Sequence, residues 1–118
     1  MARPSDANRK KAALPAFAGS VAKRFPRVWK AYSQLGEEVS AAGPLSERER
    51  RLVKLALAIG SASEGATHSH ARQALSEGLS PPEIRHVAML AITTLGFPSS
   101  AAALSWLDDV LPKMTPDR

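Results

Sequence analysis

Residues Gly78 to Leu95 read GLSPPEIRHVAMLAITTL, and this stretch decides the fold class. Ser80 offers an oxygen to the N–H groups that a helix start leaves bare. Pro81 fills the first helical position, where no N–H is needed, and Glu83 reaches back to the cap. Beyond them Ile84, Val87, Ala88, Ala91 and Leu95 recur three or four residues apart, which predicts one amphipathic helix closed by Gly96-Phe97-Pro98. Gly78 suits the left-handed residue that ends the preceding helix.

The same signals repeat outward from there. Ser46 is followed three residues on by Glu49, ahead of the run Leu52, Val53, Leu55, Ala56, Leu57 and Ile59. Ser61 and Glu64 repeat that spacing at the entrance to a helix carrying Thr67-His68-Ser69-His70-Ala71. Upstream, Pro26 opens a helix with Val28, Trp29, Tyr32, Leu35 and Val39 on one stripe, stopped by Gly43-Pro44. A short apolar segment, Ala16 to Val21, precedes it and ends near Phe25. Downstream, Ala102, Leu104, Trp106, Leu107, Val110 and Leu111 form a last helix that Pro112 ends. No segment alternates with period two, so no sheet is expected. Short connections predict a small antiparallel all-α array with a helical hairpin.

The chain has 118 residues, enough for one domain. It divides into a flexible basic arm at 1–13 and a single helical domain at 14–118. Residues 1–30 hold eight Lys/Arg against one acidic residue, whereas the remainder is slightly acidic. That arm lacks aromatic interleaving or a binding motif, so nucleic acid is not the expected partner. There is no cysteine. Disulfides, thiolate metal sites and thiol peroxide chemistry are therefore excluded. With no apolar run of membrane-spanning length, the expected setting is cytoplasmic, without a membrane partner. The stripes from residue 46 onward are wider than so short a chain can hide alone, which points to self-association.

Candidate chemistry concentrates between Ser61 and Gly78. Glu64, His68 and Arg72 stand four apart in one row, first of all the pattern of a surface ion-pair ladder, with an orienting set as the other reading. His70 lies about 200° around the helix from His68 and shares a face with Ala66, Thr67, Ala74 and Glu77. Partial burial there favours a neutral imidazole, which serves either as general acid and base or as a satisfied core histidine. A metal site built from His68, His70, His86 and Glu64 is not expected, because His68 and His70 lack the three- or four-residue spacing of adjacent helical ligands. No phosphate loop or dinucleotide fingerprint is present, so no cofactor is expected either.

The order Leu45-Ser46-Glu47-Arg48-Glu49-Arg50-Arg51-Leu52-Val53, His70, Ala74-Leu75, Gly78-Leu79-Ser80, Glu83-Ile84 and Gly96-Phe97-Pro98-Ser99-Ser100-Ala101 resembles the carboxymuconolactone decarboxylase family. That family includes the alkylhydroperoxidase-like proteins, and the resemblance spans roughly residues 25–112. It implies an alkylhydroperoxidase-like all-α fold assembled as a homotrimer or homohexamer. The peroxidase branch carries a Cys-x-x-Cys pair whose places fall on Ser63 and Ala66, and an upstream glutamate whose place falls on Arg51. The decarboxylase branch also lacks those cysteines and keeps the histidine. For this chain the resemblance implies a lyase or isomerase acting on a small carboxylated ring or lactone, with His70 moving the proton. Glu64 and His68 are candidates beside it for orientation or charge balance. Arg72, Arg51 and Lys54, with Arg50, are candidate cations for a substrate carboxylate. A non-catalytic oligomeric or ligand-binding member of the same fold is the alternative.

Overall fold

The computed structural model describes residues 16–114, so the arm expected at 1–13 lies outside the described residues. The helices are α1 (Ala16–Arg24), α2 (Pro26–Ala41), α3 (Glu47–Gly60), α4 (Glu64–Ser76), α5 (Pro81–Leu90), α6 (Ile92–Leu95) and α7 (Phe97–Asp108). No strand occurs among the described residues.

The two capping boxes are formed as their sequences dictate. Ser46 accepts from the Glu49 N–H while Glu49 takes the Ser46 N–H, and Ser80 and Glu83 repeat the exchange at α5. The cap of α4 differs from expectation. Ser63, not Ser61, accepts from the Ala66 N–H, and Glu64 becomes the first helical residue. The cause is the way α3 closes. Ser61 and Ala62 still donate back to Leu57 and Ile59, and Ala62 adopts φ 58°, so the chain turns two residues later. The long helix expected over 81–95 is also divided. At Ala91 the backbone tightens to a bond with the Ala88 carbonyl, ahead of the β-branched run Ile92-Thr93-Thr94.

α3 and α4 form the helical hairpin, and α5 and α7 close over it. The core runs through Leu55 and Ile59 of α3, Ala71 and Ala74 of α4, Ile84 and Ala88 of α5, and Ala103 and Leu107 of α7. Small residues let the helices approach closely. Ser100, buried on α7, donates to the Ala88 carbonyl at 2.7 Å and ties α7 to α5. Arg85 is buried as well, and its Nε and Nη2 donate to Asp108 at 3.1 and 3.0 Å while Nη2 also reaches the Pro112 carbonyl.

α2 stands apart from this core. None of its residues is buried, and Val28, Tyr32, Leu35 and Val39 remain 54–64% exposed along one stripe. Leu57 on α3, Leu90 on α5 and Phe97 on α7 are uncovered too.

Candidate functional site

His70 sits on α4 and faces α3. Its Nδ1 lies 2.7 Å from Nη1 of Arg51. Arg51 in turn donates to both carboxylate oxygens of Glu77, through Nε and Nη2, each at 3.0 Å. The Arg51 and Glu77 side chains are only 15% and 13% exposed, so this fork operates in a partly dried setting. Glu77, just past the end of α4, lies seven positions after His70, two helical turns, and the pair therefore flank Arg51 on one face.

The contact fixes the chemistry of the ring. A guanidinium has N–H donors and no acceptor, so the nitrogen facing it must present a lone pair. Nδ1 is therefore unprotonated, and a neutral ring carries its hydrogen on Nε2. Burial is the main force that pushes the His70 pKa from 6.5 down to about 4, with the charges of Arg51 and Lys54 adding to it and Glu77 opposing. Nε2 has no hydrogen-bond partner among the described residues, and no buried side-chain nitrogen or oxygen among them lacks one. The second nitrogen is consequently open to solvent. His70 is thus neither entombed nor freely hydrated.

The other expected residues divide between this group and a second cluster. Arg51 joins His70 by direct contact, at the place where the resemblance puts the peroxidase glutamate. Lys54 is half-buried one turn further along α3, near enough for its charge to act on the ring. His68 turns instead toward α7. Its Nε2 is 2.9 Å from Asp109 and 3.9 Å from Glu64, and one ligand atom from each of the three falls within 4.8 Å of the others. Glu64 and His68 are therefore brought to Asp109, not to His70. Arg72 does not extend their row, since it makes no ion pair or hydrogen bond among the described residues. His86 is exposed on α5.

Sequence reasoning put Glu77 on the His70 face but gave it no role, and it missed Asp109. A sharper signal was available for Glu77. A carboxylate just past the end of a helix meets the negative end of the helix dipole, so it calls for a cation beside it.

A cleft of about 220 Å³ opens between the end of α2 and α3. Val39, Leu45, Val53 and Leu57 make it apolar, and Arg50 and Lys54 add positive charge. Lys54 links the cleft to the His70 group, because it lines the one and acts electrostatically on the other.

The described residues thus form a helical protein without cysteine, with a partly buried histidine against an arginine at its hairpin. The model of the carboxymuconolactone decarboxylase family matches residues 26–109, and the chain belongs to that family. No curated protein and no solved structure matched. No described helix is long and apolar enough to cross a membrane.

Proposed function

We propose that the protein is a cofactor-independent lyase or isomerase acting on a small carboxylated ring or lactone, with His70 at the reacting centre. The observation that carries this reading is a neutral imidazole with one nitrogen held by Arg51 and the other open to solvent. In a decarboxylation the bond from ring carbon to carboxylate breaks, carbon dioxide leaves, and the electron pair passes to a conjugated carbonyl oxygen as an enolate. The His70 Nε2–H meets that oxygen, and a solvent proton completes the product at carbon. Lys54 and Arg50 supply charge for the carboxylate beside an apolar wall. Glu64 and His68 act in charge balance around Asp109 and take no part in the proton step.

Assembly as a homotrimer or hexamer, in the cytoplasm, belongs to the same proposal. The uncovered stripe of α2 and the exposed Leu57, Leu90 and Phe97 support it. The test is turnover of carboxymuconolactone and related carboxylated lactones, followed by carbon dioxide release. His70→Gln should lower the rate roughly a hundredfold or more with the oligomer intact. Turnover by that variant at the wild-type rate overturns the assignment, and so does failure of the wild type across the series.

One observation favours the non-catalytic alternative. The fork of Arg51 with Glu77, extended to His70, is a satisfied network of the kind that holds helices together. On that reading His70→Gln lowers thermal stability and no lactone is consumed.

A further inference from the structure

We infer that Glu77 is a positioning residue, which holds Arg51 so that His70 presents an N–H donor, not a base, to an oxygen of its ligand. The inference rests on the reading of His70 as the reacting group and goes further, because it states which half of acid–base chemistry this ring can perform.

The argument begins with freedom of motion. An arginine side chain has several rotatable bonds, and a guanidinium 2.7 Å from an imidazole nitrogen gains nothing from the ring's charged form. Left alone it would swing away toward water. The two parallel bonds to Glu77 remove that freedom, because a planar fork on a carboxylate fixes both the position and the plane of the guanidinium. Nη1 is then directed at Nδ1 of His70. The carboxylate has its own reason to stay. Glu77 caps the C-terminal end of α4, where bare carbonyls repel it, and Arg51 from α3 offsets that repulsion.

Two consequences follow for the ligand. The lone pair on Nδ1 is occupied by Arg51, and Nε2 carries a hydrogen, so neither nitrogen is poised to take a proton from carbon. The charged groups facing the ring are Arg51 and Lys54 from α3 and Glu77 at the end of α4, and the two cations outweigh the carboxylate. Nε2–H is therefore polarised outward. It suits a substrate whose reaction gathers negative charge on oxygen, such as a carboxylate or leaving group conjugated with a carbonyl. A substrate that must first lose a C–H proton to the enzyme does not suit it.

The test reads the ring directly. Uniformly nitrogen-15-labelled protein is examined at pH 7 by correlations between ring nitrogens and ring carbon-bound hydrogens, which report the hydrogen-bearing nitrogen. The wild type should hold a single Nε2–H form. Glu77→Gln keeps the size but loses the charge and one acceptor oxygen, and it should give a mixture of the two neutral forms with little loss of thermal stability. Arg51→Met should give the same mixture, and serves if the first variant fails to fold. Turnover in Glu77→Gln should fall on the order of tenfold or more, as when a catalytic histidine loses its tautomer. An Nδ1–H ring in the wild type overturns the inference, and so does an unchanged single form in the variants. Because the spectra need no substrate, loss of the single form in a protein without turnover removes the proposed reaction and upholds the role of Glu77.

Discussion

Nη1 of Arg51 lies 2.7 Å from Nδ1 of His70, a cation against an imidazole with no carboxylate between them. Such a contact is tolerable only while the ring is neutral. Together with burial, the larger cause, it makes stability depend on pH.

In the unfolded chain His70 takes a proton near pH 6.5, whereas in the folded protein it resists until about pH 4. Between those values the unfolded state binds more protons, so stability is full above 6.5 and declines as the pH falls toward 4. From pH 7 to pH 5 stability should fall, by at most about 2 kcal/mol because solvent screens the partly exposed ring, as read from urea denaturation. His70→Gln should remove most of that slope. An equal slope in the variant would assign the effect to other groups. The capping carboxylates Glu49 and Glu83, whose pKa values are lowered chiefly by backbone hydrogen bonds to Ser46 and Ser80, add losses of the same sign at more acid pH.

Ala62 occupies the left-handed region at φ 58°, which strains any residue with a Cβ. Replacing it with glycine relieves the strain but frees the unfolded chain. The net effect should be a gain of roughly 0.5–1 kcal/mol, seen as a higher denaturation midpoint. A lower midpoint would mean that the turn between α3 and α4 is held differently.

Leu107 is fully buried where α7 meets the hairpin. Leu107→Ala should cost about 2–5 kcal/mol by urea denaturation, through lost burial and the cavity left behind. A cost well under 1 kcal/mol would place α7 outside the cooperative core.

Much of this fold was legible because its helix starts are chemical statements. Ser46 with Glu49, and Ser80 with Pro81 and Glu83, name their caps through side chains three residues apart, and no distant residue changes that outcome. Ser61 with Glu64 has the same spacing and no such role, because the turn at Ala62 decides where α4 begins. The site was harder to read for a similar reason. His70 and Glu77 share a helix face that sequence alone gives, but Arg51 reaches them from another helix, 19 and 26 positions away. Its meeting with them depends on how α3 packs on α4. Asp109 came to His68 in the same way, from the end of α7.

The helical period of α2 was equally plain, and its partner was not. Val28, Tyr32, Leu35 and Val39 find no cover among the described residues. Sedimentation of the wild type should give three or six times the 12.6 kDa of one chain. Val28→Glu combined with Leu35→Glu should reduce that mass with helical content retained. A monomeric wild type would contradict the proposed assembly.

The central claim is that His70 stays neutral at physiological pH with its Nδ1 held by Arg51. Titration of the His70 ring by nuclear magnetic resonance, from pH 8 to 3.5, tests it most directly. The account predicts a midpoint near 4 and no change in ring charge above pH 5.5. A midpoint at 6.5 or higher, with Arg51 intact, would contradict it.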